Sequence, residues 1–309
     1  MPDWVVHLGA ASLIGRVCRF RDIRWFFLGA VLPDLLAVMS MVFLDFSPVS
    51  PFPGTPVART YFRLLHTPFM AILAAVIFSF FSSCYLKSAG LTVCGVLSHF
   101  ALDLLQKSAS GGIALFFPFS FSLFSTQIIY YTKPFIPLTA VFFLPLLIHS
   151  FLCKRKPYEQ KIPLQITKRI ILVFPFLVVF ILTPWFFLEK AYEANIENVR
   201  FITRPAEYDG LPVYLSVSKV AAIDDVKMTV REGTADFKIK PVCSPLYSRV
   251  FKKLKKDDWI TVKGMYKDGI IYAEYIHKDS PYYQIKIILS LIGMTCVILY
   301  WFYYFKKKY

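Results

Sequence analysis

Apolar residues run in long unbroken blocks through the first two thirds of the chain and again near its end. Six blocks approach the ~20 residues that a helix needs to cross a bilayer: residues 25–46, 67–86, 89–105, 134–153, 170–188 and 285–305. Two shorter blocks, 4–14 and 113–124, are about half that length and fit re-entrant segments held inside a bundle. Between the fifth and sixth blocks the pattern changes to short alternating stretches. These are residues 211–218, 226–231 and 235–240, a Pro-started basic helix over 245–256, then 259–263 and 270–276 joined by a Lys267-Asp268-Gly269 turn. Three strands, a helix and two strands is the order of a small OB-type barrel. The pattern predicts a mainly α, polytopic transmembrane helical bundle of about six spans plus re-entrant segments, carrying a small extramembrane OB-like β-barrel.

Composition strengthens the membrane reading. The 309 residues are 56% hydrophobic and only 18% charged, against about 25% charged in ordinary soluble domains, and the mean hydropathy is +0.53. The formal net charge of +15 points in principle to nucleic acid or anionic lipid. In a bundle, basic loops set topology first, so nucleic acid is a poor fit. Basic clusters at 16–24, 154–169 and 306–308 fall on one side of the expected crossings, and the positive-inside rule makes that side the cytoplasm. The expected location is a bacterial-type inner membrane, multi-pass, with the OB-like domain outside the cytoplasm and the C-terminus inside. Residues 200–279 hold 15 Lys plus Arg and 11 Asp plus Glu, more than half of all the acids, which marks them as a separate water-soluble domain. The expected division is a membrane domain over 1–153, a basic loop and fifth span over 154–199, the OB-like domain over 200–279, and a last span with a basic tail over 280–309. The six cysteines are scattered without a CxxC pair and read as packing residues, and the N-terminus lacks the features of a cleaved signal.

A charge at the bilayer centre costs roughly 3 kcal/mol or more and must be paired or coordinated to persist. Residues 1–199 hold 9 acids, of which Asp34 and Asp103 lie inside apolar stretches, and four of the five histidines fall in the same part of the chain. His99 and Asp103 are spaced i, i+4, so both leave one helix face and can share an ion. The bland alternative is a His–Asp hydrogen-bonded pair between helices. His7, Asp34 and His66 lie on other apolar elements, and three His with two Asp is the ligand complement of a buried metal site in a helical bundle. Pro33 can bend its helix and free backbone carbonyls, and Thr67 is placed to cap a helix or support His66. His149 reads as a packing or interfacial histidine. The Phe-rich run at 115–121 reads as lipid- or core-facing filler, or as the lining of a path for an acyl chain. No Gly-rich phosphate loop and no Gly-x-Ser-x-Gly elbow is present, so nucleotide hydrolysis and serine-esterase chemistry find no support.

The series His7, Gly29-Ala-Val-Leu-Pro-Asp34, Leu65-His66-Thr67, Gly95-Val-Leu-Ser-His99-Phe-Ala-Leu-Asp103, then Gly112 and Phe117-Pro118-Phe119, resembles the YdjM-like membrane-bound metal-dependent hydrolases over about residues 1–150. The order His, Asp, His, His-x-x-x-Asp is also similar to part of the site of zinc-dependent phospholipases C. The resemblance implies a divalent metal, zinc first, as one or two ions held by His7, Asp34, His66, His99 and Asp103. It implies hydrolysis of ester or phosphodiester bonds in a membrane lipid or lipid-linked substrate, with Asp103 or Asp34 as a bridging or base-like carboxylate and Arg63 as a phosphate clamp. One departure stands out: the family's His-Arg pair ahead of the histidine is replaced here by Tyr61-Phe62-Arg63-Leu64-Leu65. Two other classes compete. A proton-coupled transporter would use Asp34, Asp103 and His99 as a relay but leaves His7 and His66 without a role. A non-catalytic, metal-stabilised membrane scaffold would bind metal without turnover.

Overall fold

The computed structural model of the chain describes residues 4–20, 23–45, 56–82, 84–107, 112–126, 128–130, 141, 143–146, 148, 166–224, 226–232, 235–242, 250–279 and 281–306. A helical region comes first: α1 (Trp4–Val17), α2 (Arg24–Asp45), α3 (Pro56–Leu65), α4 (Pro68–Ser79) and α5 (Tyr85–Leu105). Short strand pairs follow, β1 (Gln106–Lys107) with β4 (Ile129–Tyr130) and β2 (Ile113–Ala114) with β3 (Leu123–Phe124). The helices α6 (Ile166–Phe186), α7 (Leu188–Glu193) and α8 (Val199–Thr203) lead to the barrel, and α9 (Tyr282–Lys306) follows it.

The centre of the helical region is the crossing of α2 and α5, and glycine decides how close it is. A Cβ placed on Gly29 would fall 1.9 Å from the Thr92 carbonyl oxygen, and one on Gly95 would fall 2.3 Å from the Phe26 carbonyl oxygen. The two helices therefore meet backbone to backbone, an approach that only small residues allow. Three apolar clusters surround the crossing. Trp4, Leu8 and Ala11 of α1 pack on Phe26, Phe27, Ala30 and Val31 of α2, with Met294 and Val297 of α9 against them. Ala71, Ala74 and Ala75 of α4 meet Leu32, Val96 and Phe100. Leu64, Leu65, Met70, Phe117, Ala191 and Ile196 form the third cluster, which ties α3 to the segment leading into the barrel.

The expected six-span polytopic bundle is not what forms. Among the described residues, only α5 is long and apolar enough to cross a membrane by length and composition. The expected 67–86 span ends early, because α4 stops at Ser79 and turns at residues 80–82 lead to α5. Serine hydroxyls turn back on the chain there: Ser79 Oγ donates to the Ala75 carbonyl at 2.6 Å and Ser88 Oγ to Ser82 Oγ at 2.6 Å. Among the described residues, the other apolar stretches are shorter, Ile171–Phe186 in α6, a helix that has Pro175 and Pro184 inside it, and Ile288–Leu299 in α9. Residues 4–14 lie in the 14-residue helix α1, most of which is buried, and 113–124 form the β2–β3 hairpin. Most of the 134–153 block, with His149, and most of the 154–169 cluster lie outside the described residues. The side assignment counted over six crossings accordingly has no basis in the described helices.

The barrel does form. Strands β5 (Pro212–Ile223), β6 (Met228–Glu232), β7 (Ala235–Pro241), β8 (Trp259–Lys267) and β9 (Ile270–Lys278) close in the order β5-β6-β7-β9-β8. The β7–β9 pairing is parallel and the others are antiparallel, the connectivity expected of an OB-type barrel. Alternation fills the interior with Val213, Leu215, Val220, Val230, Ile239, Val262 and Ile276. Phe201 of α8 completes this core, stacked on Phe237 at 4.9 Å and edge-on to Tyr266. Residues 245–249 of the expected basic helix are outside the described residues, and the chain is helical at residues 250 and 251 before turning into β8.

One buried acid in the barrel gives a pH prediction. Asp279 is 1% exposed, accepts from Thr261 Oγ1 at 2.9 Å, and lies 4.0 Å from His277 Nε2. Burial pushes its carboxyl up to about 7. The folded state then holds the proton more tightly than the unfolded chain does. The resulting stability is full below the unfolded value and is lost as pH rises towards 7 and through it. Asp279→Asn should flatten the thermal midpoint of the full-length protein between pH 4 and 7 and stabilise it at pH 8, by on the order of 3 kcal/mol. Unchanged pH dependence in the variant would show that Asp279 does not titrate in this range.

Candidate metal centre

Five side chains from four places in the chain meet beside the α2–α5 crossing. His7 comes from the first turn of α1, Asp34 from α2 directly after Pro33, and His99 and Asp103 from successive turns of α5. His66 sits in the two-residue break between α3 and α4. That break has a local cause. Thr67 precedes Pro68 and is extended at φ −121° and ψ 153°, as a residue before proline prefers, and Pro68 opens α4 where a missing N–H is harmless. Thr67 does not cap α4: its hydroxyl donates instead to the Leu64 carbonyl at 2.7 Å.

All five side chains are buried, none more than 6% exposed. His66 Nε2 stands 3.2 Å from His99 Nε2, 3.4 Å from Asp103 Oδ2 and 3.3 Å from Asp34 Oδ1. His99 Nε2 stands 3.2 Å from Asp103 Oδ2 and 3.9 Å from Asp34 Oδ1. Ligands at 2.0–2.2 Å from one tetrahedral ion are about 3.3–3.6 Å apart, so His66 Nε2, His99 Nε2 and Asp103 Oδ2, at 3.2–3.4 Å from one another, have close to the spacing of three corners of a coordination tetrahedron.

Proton placement argues the same way. His99 Nδ1 lies 2.8 Å from the Ala30 carbonyl oxygen, which can only accept, so Nδ1 carries the hydrogen and a neutral ring leaves a lone pair on Nε2. That lone pair faces a carboxylate oxygen and a second imidazole nitrogen, an arrangement that repels unless a proton or a cation lies between them. A backbone carbonyl fixing the ring from behind is the usual support of a metal-binding histidine. Asp34 Oδ1 and His7 Nε2 make no hydrogen bond to protein although both are buried. Burying such groups without compensation costs several kcal/mol, which a divalent cation would offset. The imidazole and carboxylate donors suit zinc and similar borderline cations, and His7, Asp34 and His99, like His66, His99 and Asp103, are grouped closely enough to hold one.

The structure thus brings His7, Asp34, His66, His99 and Asp103 together. Arg63 lies in the last turn of α3, three residues before His66, half-buried, and its Nη2 donates to the Gly112 carbonyl at 3.3 Å. Around the site, several outer faces remain apolar: Ile171, Leu172, Phe174 and Phe186 of α6 and Ile288 and Leu299 of α9 are more than half exposed. Surface of that kind marks a membrane or partner contact.

Residues 5–191, well over half of the chain, match the family model of the YdjM inner membrane protein. The chain belongs to that family. No curated protein and no solved structure matches it. The YdjM match covers all five converging side chains and Arg63 and stops before the barrel, so membrane association is established for the part of the chain that carries the site.

Two contributions escaped the residue-by-residue reading of the sequence. The Ala30 carbonyl that orients His99 is a backbone group and has no signature of its own. Gly29 and Gly95 set the helix approach that makes this contact possible, and the one available sign was a glycine on each of the two helices that carry a buried acid.

Proposed function

We propose that this member of the YdjM family is a metal-dependent hydrolase of the inner membrane, acting on phosphoester or ester bonds of lipid or lipid-linked substrates. The observation that carries the reading is the convergence of three imidazoles and two carboxylates at ligand–ligand spacings inside an apolar core. His7, Asp34, His66, His99 and Asp103 would hold the ion, zinc by their chemistry. When bound, such an ion acidifies water and polarises a phosphoryl or carbonyl oxygen. The chain's own part is to orient its donors, His99 through Ala30, and to keep bulk water out through the Leu64, Leu65 and Met70 cluster. Asp34 or Asp103 would accept the proton released in hydrolysis. Arg63, in the last turn of α3, is the cation assigned to an anionic substrate oxygen.

An apolar substrate portion is favoured by the aromatic cluster that packs with Leu64 and Leu65, the residues just before His66. Phe117 packs edge-on to Phe69, Phe121 and Phe187, and Phe116 and Phe119 at the turn between β2 and β3 are 54% and 92% exposed. Aromatic surface of this kind can receive an acyl chain.

The test is hydrolysis by the purified full-length protein of glycerophospholipids in mixed micelles, scoring released phosphorylated headgroup and released fatty acid separately. Chelation should abolish turnover and zinc should restore it, and Asp34→Asn should lower it by at least about 100-fold. Retention of zinc with no hydrolysis of any lipid ester would leave a metal-stabilised scaffold in place of an enzyme.

A further inference from the structure

The two carboxylates of the centre divide their oxygens between two sets of histidines. Asp34 Oδ1 and Asp103 Oδ2 face His66 and His99, at 3.2–3.9 Å from their Nε2 atoms. The other oxygen of each turns to His7, whose Nε2 lies 3.6 Å from Asp103 Oδ1 and 4.0 Å from Asp34 Oδ2. One ion among His66, His99, Asp34 and Asp103 would leave His7 Nε2 buried without a hydrogen bond, beside two carboxylate oxygens it does not reach. Both sets are explained together if each carboxylate spans two ions.

The imidazole rings give a second and separate measure. His7 and His99 are stacked nearly parallel, with centroids 3.9 Å apart and planes 12° from each other. Parallel rings that each hold an ion in their own plane hold those ions about one stacking distance apart. Two-metal hydrolytic sites keep their ions about 3.5–4 Å apart. From the split carboxylates and the stacked rings we infer that the centre is binuclear, with Asp34 and Asp103 bridging two divalent cations, one bound by His66 and His99 and the other by His7. The inference rests on the metal-binding part of the proposed function and not on its being an enzyme.

Charge then narrows the ligand class. Three neutral imidazoles and two carboxylates total two negative charges, which one divalent ion would cancel. Two ions leave a net charge of two positive inside an apolar core, and that excess suits an anionic tetrahedral oxygen group such as a phosphoester better than a neutral carboxylic ester.

Zinc content of the detergent-purified full-length protein, saturated with Zn2+ and then freed of loosely held ion, tests this directly. The wild type should retain two zinc per chain and His7→Ala one. Saturation of the wild type at one zinc, or two zinc retained by His7→Ala, overturns the assignment. A measurement on the wild type alone covers the case in which the variant does not fold. Saturation with Mn2+ should give the electron paramagnetic resonance spectrum of an exchange-coupled pair, whereas the six-line signal of isolated Mn2+ at full occupancy sinks the inference. Two bound ions without lipid hydrolysis would remove the enzyme reading and leave the binuclear site standing.

Discussion

Replacing His99 by Ala is expected to weaken zinc binding by well over 100-fold and to abolish lipid hydrolysis while the helical region remains folded. His99 is the group on which the arrangement turns. Its Nε2 is within 4 Å of His66, Asp34 and Asp103, its ring stacks on His7, and its Nδ1 is tied to the neighbouring helix through Ala30. Loss of a supporting contact behind a ligand already lowers metal affinity by about 10–100-fold, so loss of the ligand itself must exceed that. The substitution also breaks the link between α5 and α2 and leaves a void beside Phe100, at about 2–5 kcal/mol by analogy with other large-to-small core changes. His99→Gln separates the two effects, because it fills most of the volume and cannot replace the imidazole. Zinc titration and the thermal midpoint, measured on both variants, decide the matter. If His99→Gln binds zinc like the wild type, the five side chains are a hydrogen-bonded polar core and no metal centre. If it binds zinc like the wild type but loses proton-driven flux in vesicles, the relay reading is the right one.

The candidate site was far more legible in the sequence than the helices that carry it, and the reason is physical. An ionisable group in an apolar stretch is conspicuous because burying it is costly, so Asp34, Asp103 and the histidines stood out one by one, and the i, i+4 spacing of His99 and Asp103 placed them on one face without any tertiary information. The barrel strands were equally visible through their alternation, and the structure mainly lengthens them, as when β5 runs on to Ile223 past shifts in register. Span counting failed for a different reason. Hydropathy registers how apolar a block is and not whether one helix runs through it. It passed over the end of α4 at Ser79 and the turns at residues 80–82 in the 67–86 block. The same blocks also served as packing partners, since Ala71, Ala74 and Ala75 are buried against α2 and α5 and not offered to lipid.

The distance between α2 and α5 should control the metal centre without any ligand being touched. Gly95 lies one helical turn before His99, and Gly29 lies next to Ala30, so the glycine contact and the His99–Ala30 hydrogen bond are two points on one seam. A methyl group on Gly95 would stand 2.3 Å from the Phe26 carbonyl oxygen and 2.9 Å from Gly29 Cα. These are backbone atoms that cannot swing aside, and the helices must part by about 1 Å to restore ordinary contact. The 2.8 Å hydrogen bond from His99 Nδ1 to Ala30 would then stretch beyond useful range. Gly95→Ala and Gly29→Ala are therefore expected to destabilise the protein by about 1–3 kcal/mol through overpacking and to lower zinc affinity by about 10–100-fold. Gly90 provides the control on the same helix, because a methyl group there meets nothing within 4 Å. Gly90→Ala should leave zinc binding unchanged and stabilise α5 by up to about 1 kcal/mol, as alanine does in an exposed helix. Thermal midpoints and zinc titrations of the three variants, taken side by side, check the pattern. A Gly95→Ala protein that matches Gly90→Ala in both measurements would mean that α2 and α5 do not meet at this seam.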